Sequence, residues 1–220
     1  MNVLDYVEKI EFYSMLSDAE KQVVRENVFL KEYQKGEMIH SCTGACLGMV
    51  YVISGCIRAT IVSQEGRELT LYKIGEGETC VISAACVLHE IRLESSMIAK
   101  EDTTVMVLSS KALMMLTKQN LAVKSYCYEI ATRRFSAALF VLQEIILLRF
   151  DQRLAKYLVQ EAEKSDGPKL HLTQEAIAAD VNSAREVVAR MLKQFEMEGL
   201  VKLGRGTIEI TNLEDLKLMM

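Results

Sequence analysis

Hydrophobic and polar positions change rhythm along this chain, and each change predicts a different element. The first stretch is helical: Ser17 is placed as an N-cap, Glu20 completes an S-x-x-E capping box, and Val23, Val24 and Val28 follow at helical spacing. From about Phe29 short strand-like runs take over, namely Met38-Ile39, Val50 to Ile53, Ile57 to Val62, Leu69 to Tyr72 and Val105 to Leu108. Lys35-Gly36, Ser54-Gly55, Gln64-Glu65-Gly66 and Gly75-Glu76-Gly77 punctuate them. Short strands separated by Gly-bearing turns predict an antiparallel barrel or jelly roll. Glycine and proline then vanish from Ser109 to Asp166, as a long helix requires. Within it Ala131, Phe135, Ala138, Leu142 and Ile145 recur in a 4-3-4-3 rhythm, an a/d seam. Phe140, Val141 and Ile146 widen the apolar surface beyond one stripe. One face for the chain's own barrel and one for a second copy predicts a homodimer.

After the Asp166-Gly167-Pro168 turn the pattern becomes a compact helical motif. Thr173 is placed as the cap of a helix reaching about Ala179, Asp180-Val181-Asn182 as a turn, and Ser183 as the start of a second helix to about Glu198. Asn tolerates the left-handed backbone that such a turn demands. Leu200 to Leu203, Gly204-Arg205-Gly206 and Thr207 to Ile210 predict a hairpin, the wing of a winged helix-turn-helix. The fold class expected is α+β: a jelly-roll barrel over residues 1–116, a dimerisation helix over 117–149 and a winged helix-turn-helix over 150–220.

Composition narrows the function. The 220 residues carry a net charge of −4, so any affinity for a polyanion must come from a local basic element. No apolar run approaches the roughly 18 residues of a membrane span. Asp5, Glu8 and Glu11 stand where a secretory signal would be basic, so a cytoplasmic protein is expected. Cys42, Cys46, Cys56, Cys80, Cys86 and Cys127 contain no C-x-x-C pair and are read as reduced thiols. With His40, His89 and His171 they give no structural zinc pattern.

The charged residues of the second helix of the motif carry the candidate chemistry. Val187, Val188, Met191 and Leu192 are assigned to its buried faces, and Arg185, Glu186, Ala189, Arg190 and Lys193 to the outer one. Guanidinium groups suit the N7 and O6 acceptors of guanine, and a carboxylate suits the N4 donor of cytosine, in the major groove. Ser183 and Glu186 also fit a capping box, which would give Glu186 to the helix rather than to a base.

Barrel, long helix and winged helix-turn-helix in this order resemble the Crp/Fnr family of bacterial transcription regulators, along essentially the whole chain. The matching stretches are Thr173 to Ala178, Ser183 to Leu192, Ser54 to Arg58, Gln64 to Glu68 and Asp151 to Ala155. The resemblance implies base or phosphate contacts for Arg185, Glu186 and Arg190. The candidate DNA-binding set is Thr173, Gln174, Ser183, Ala184, Arg185, Glu186, Arg190 and Lys193. Expected partners are a pseudo-palindromic DNA duplex, a second copy and RNA polymerase.

The resemblance also makes residues 1–116 a cyclic-nucleotide-binding-like sensor, yet argues against cyclic AMP held in the family's usual way. Val81-Ile82 stand where that family places Gly-Glu, and Leu93 where it places the phosphate-binding arginine, with Arg92 one residue aside. One residue of slip on a strand turns a side chain to the other face. Cys80, Val81, Ile82, Ser83, Cys86 and Arg92 are the candidate effector wall, and its small apolar character suits an uncharged or aromatic ligand. The family's iron–sulfur members carry N-terminal cysteines, whereas this chain has none before Cys42. Haem on Met38, His40, Cys42, Cys46, Met49 or His89 and a thiol switch through Cys42 and Cys46 stay open as alternatives. A cupin-like metal enzyme would need converging histidines, and His40 and His89 lack the H-x-H spacing, so catalysis is not expected.

Overall fold

The computed structural model describes residues 3–41, 47–63, 68–81, 95–165 and 167–220. Cys42, Cys46, Ile82, Ser83, Cys86, His89, Arg92 and Leu93 lie outside the described residues, as does the Gln64-Glu65-Gly66 turn. The chain divides into two compact units, Met1–Arg67 with Leu71–Leu139, and Glu68–Thr70 with Phe140–Met220.

The first unit opens with α1 (Leu4–Val7), a 3-10 turn at Glu11–Met15 and α2 (Asp18–Glu26). The expected capping box at the head of α2 is formed, with Ser17 accepting from the Glu20 backbone and Glu20 accepting from the Ser17 backbone. Val28, placed in that helix by spacing, instead begins strand β1 (Val28–Tyr33), because the chain leaves helical geometry at Asn27. The other strands are β2 (Met38–His40), β3 (Met49–Ser54), β4 (Ile57–Val62), β5 (Glu68–Ile74), β6 (Thr79–Cys80), β7 (Ser96–Ala99) and β8 (Thr103–Leu108). They form two four-stranded sheets, ordered β1-β8-β3-β6 and β2-β7-β4-β5. Each register described within them is antiparallel, as in the expected jelly roll. The β3–β4 turn needs glycine at position 55: φ is +87°, and a Cβ there would stand 2.5 Å from the Asp102 carbonyl oxygen.

The stretch without glycine or proline is three helices rather than one, α3 (Ser110–Gln119), α4 (Leu121–Leu147) and α5 (Phe150–Lys164). Side-chain capping makes the breaks. Asn120 Oδ1 accepts from the amides of Ala122 (2.9 Å) and Val123 (3.4 Å), and Gln152 Oε1 accepts from the Arg149 amide (3.0 Å). In the first unit Val123, Tyr126, Cys127, Ile130 and Ala131 of α4 join a core with Phe12, Leu16, Met106, Leu108 and Leu113. Phe12 and Tyr126 meet edge to face, with centroids 5.2 Å apart. No helix among the described residues is long and apolar enough to cross a membrane.

In the second unit α5 is followed by β9 (Lys169–Leu170), α6 (Gln174–Asp180), α7 (Arg185–Met197), β10 (Val201–Gly204), β11 (Thr207–Ile210) and α8 (Leu213–Leu218). Leu154, Leu158, Leu170, Ile177, Val188, Leu192, Phe195, Val201, Ile208 and Leu216 are buried together, so each element from α5 to α8 contributes to one core.

Candidate nucleic-acid interface

The helix-turn-helix is assembled from local signals. Thr173 caps α6 by accepting from the Ala176 amide at 3.1 Å. Asn182 closes the turn at φ 54°, and Ser183 N–H donates to the Ala178 carbonyl at 2.9 Å. Within the same unit the Asn182 side chain accepts from Thr70 N–H (2.7 Å) and donates to the Thr70 carbonyl (3.0 Å). The Asn182 side chain thus both donates and accepts.

Helix α7 begins at Arg185, two residues later than the sequence pattern placed it, and its N-cap is Ala184. The Ser183–Glu186 capping box is consequently not formed: Glu186 occupies the second helical position, not the third, and stands exposed in the first turn. A carboxylate there is favoured by the helix dipole without being consumed by the cap. Val188 and Leu192 are buried, Val187 and Met191 half-buried, and Arg185, Glu186, Arg190 and Lys193 all exposed. Thr173 and Ala184 are exposed, while Gln174 and Ser183 are half-buried beside them.

Beyond α7 the wing is a true hairpin, Val201 opposite Ile210 and Gly204 opposite Thr207, with Gly206 turning at φ +69°. Strand β9 extends it, Leu170 facing Ile208; at two residues beside Pro168 it gave no readable sequence pattern. The wing is tied to α7 by Glu196, whose Oε1 accepts from Leu203 N–H at 2.8 Å. Lys202 and Arg205 are exposed on this hairpin and add cations that the helical motif alone did not reveal. Between the start of α6, Arg185 and the wing lies a cleft of about 220 Å³, walled by Thr173, Gln174, Glu175, Gly204 and Thr207 among others.

The proposed dimer residues divide. Ala131 and Ala138 are buried, and Ala131 belongs to the first unit's core; Phe135 and Leu142 are exposed, and Ile145 is half-buried. One row of the exposed positions of α4 follows a heptad. Leu121, Ser125, Tyr128, Thr132, Phe135, Leu139, Leu142 and Ile146 alternate in steps of four and three. Phe135, Leu139 and Ile146 are 48%, 45% and 77% exposed.

Of the candidate effector wall, Cys80 and Val81 are described, and both are fully buried. Met49 is buried in β3 and Met38 exposed in β2, on different sheets, while His40 is half-buried, with burial pulling its pKa down. Burial pushes the Cys127 thiol up to about 12, so it is chemically quiet. Among the described residues no three His, Cys, Asp or Glu side chains gather as a metal site would require.

A capped two-helix motif with an αL turn, an outward basic helix and a tethered hairpin defines a winged helix-turn-helix protein, here joined to a jelly-roll unit. Residues 152–219 match the Crp-like helix-turn-helix domain, and residues 30–120 match the cyclic nucleotide-binding domain. A Crp/Fnr-family protein of known structure from Eubacterium rectale is 32% identical, covers 96% of this chain and 98% of its own, and superposes with a TM-score of 0.89. The cyclic AMP receptor protein of Thermus thermophilus is 28% identical over 181 residues, which is 81% of this chain and 82% of that protein. The cyclic-di-GMP-responsive regulator CLP of Xanthomonas campestris is 18% identical, with a TM-score of 0.72 over 88% of this chain and 99% of its own, a likeness of fold alone. The chain belongs to the Crp/Fnr family and is a transcription regulator of the Crp/Fnr type with a DNA-binding helix-turn-helix domain.

Proposed function

We propose that this cytoplasmic protein is a homodimer that reads a pseudo-palindromic duplex with two α7 helices and answers to an effector held by its jelly-roll unit. The exposed row Arg185, Glu186, Arg190 and Lys193 along α7 is the observation that carries the reading. Arg185 and Glu186, in the first turn, are base readers, because the N-terminal residues of a recognition helix reach base edges. Lys193, two turns further on, and Lys202 and Arg205 on the wing are phosphate contacts. The exposed heptad of α4 supports pairing with a second copy, which sets two recognition helices about 34 Å apart, one helical turn of DNA. Activity of this kind asks no catalytic step of the chain.

The effector is a ligand other than cyclic AMP in the cassette mode. That inference rests on the resemblance, which places Leu93 where a guanidinium would meet the cyclic phosphate; a phosphate dehydrated without its cation binds poorly.

The test separates readout from positioning. Arg185→Ala is expected to cost about 1–3 kcal/mol and to relax preference at one base pair of each half-site. Lys193→Ala is expected to weaken all sequences alike and to lower the salt slope by about one. Equal behaviour of the two variants across a randomised site library would overturn these roles.

A further inference from the structure

Arg185 is held in an ion pair. Its Nη1 lies 3.2 Å from Oε1 of Glu175, and both side chains stand in solvent, 59% and 70% exposed. Glu175 comes from the first turn of α6, the helix that precedes the recognition helix, so the pair bridges the two arms of the motif at the mouth of the cleft under the wing. We propose that Glu175 is a positioning residue that determines specificity, holding the Arg185 guanidinium for guanine and withholding it from phosphate. The inference rests on the reading of Arg185 as a base contact.

Three physical facts support it. Arg185 is the first residue of α7, where a cation meets the positive end of the helix dipole, and the Glu175 carboxylate offsets that penalty. A guanidinium presents five N–H donors in a rigid fork, so a carboxylate on Nη1 orients the group and leaves other donors for the paired N7 and O6 acceptors of guanine. The carboxylate is also a like charge to every phosphate. An unaccompanied arginine at this exposed position would bind the backbone of any duplex; one accompanied by Glu175 gains less from phosphate and keeps its geometric match to a guanine edge.

Nothing in the sequence pattern exposed this role. Glu175 is ten residues from Arg185 in the chain, and in the first turn of a helix a glutamate satisfies the dipole without further purpose. Only the turn at Asn182 brings the two together.

The measurement is binding of the full-length protein to its selected site, to single-base variants of that site and to unrelated duplex, for wild type, Glu175→Gln, Arg185→Ala and the double variant. Thermal melting of each verifies folding, which these exposed positions should leave intact. Glu175→Gln is expected to raise affinity for unrelated duplex about two- to fivefold and to reduce discrimination by a similar factor. The reduction is confined to the base pair that Arg185→Ala also relaxes. In the Arg185→Ala background the same substitution is expected to leave discrimination at that base pair unchanged. Full discrimination retained by Glu175→Gln, or an equal effect of the substitution with and without Arg185, overturns the proposal. Loss of discrimination at every position alike points to general loosening of the motif and also overturns it. Full discrimination retained by Arg185→Ala itself is a separate result, and it overturns the underlying reading of Arg185.

Discussion

Ser17 and Glu20 show how much a single residue pair determines here. The Ser17 N–H and hydroxyl both donate to Glu20 Oε2 at 2.8 Å, and Asn120 Nδ2 donates to the other carboxylate oxygen at 3.1 Å. These bonds, the one from the Ser17 backbone foremost, hold the Glu20 carboxyl below its ordinary value of 4.5. A carboxyl with a lowered folded pKa stabilises the fold fully above its unfolded value and loses that contribution as pH falls through the folded one. Ser17→Ala keeps the backbone bond to Glu20 but loses the hydroxyl, so it is expected to cost about 1 kcal/mol near neutrality, and the gap should narrow in acid without closing, because the bond from the Glu20 N–H to the Ser17 hydroxyl does not titrate. Urea unfolding from pH 7 downward measures this, and a gap that stays constant into acid would contradict it. The capping box was legible because its four residues are contiguous, and so was Asn182, whose left-handed backbone few other side chains accept. The Ser183–Glu186 box, equally legible, is not made. Ala184 takes the N-cap instead, and a pattern of residue types carries no information about a shift of one position.

At the scale of elements, α4 is the instructive case. Its apolar residues support two heptad frames that share Phe135 and Leu142, one running through Ala131 and Ala138, the other through Leu139 and Ile146. A helix apolar across adjoining faces cannot declare from its own sequence which face its own unit occupies. Packing decides it: Val123, Tyr126, Cys127, Ile130 and Ala131 turn into the first unit's core, and the Phe135–Leu139–Leu142–Ile146 side is left open. If that side seats a second copy, Leu139→Asp with Ile146→Asp should turn a dimer into a monomer in sedimentation equilibrium. The helical circular dichroism should survive, since neither side chain is buried in the monomer. A dimer unaffected by both charges would place the interface elsewhere. The same logic explains the breaks at Asn120 and Arg149. Absence of glycine and proline permits a helix but does not forbid an Asn or Gln side chain from capping a new one.

At the scale of the whole molecule the test falls on the proposed effector of the jelly-roll unit. Relatives named for cyclic AMP make that nucleotide the natural alternative. Our expectation is that millimolar cyclic AMP leaves both the melting temperature and DNA affinity unchanged. A ligand at a hundredfold excess over its Kd stabilises the folded state by about 2.7 kcal/mol, which a thermal melt detects readily. A clear shift that Arg92→Ala abolishes would mean that Arg92 supplies the missing cation. No shift in either protein would direct the search to haem, redox signals and small apolar metabolites.

The sequence by itself determined the α+β class, the succession of jelly roll, long helix, helix-turn-helix and wing, and the cap at Thr173 and turn at Asn182. These follow from contiguous signals: turn glycines, caps, alternation and helical spacing act over a few residues, and the chain prints them in order. Tertiary structure decided which face of α4 is buried, that Glu196 tethers the wing to α7, and that Glu175 meets Arg185. Strands as short as β6 and β9 likewise exist only through their partners β3 and β11. Such contacts join residues separated by turns or shared between equivalent faces. Their choice is settled by which apolar surfaces close on each other, a property of the folded chain and not of any local run of residues.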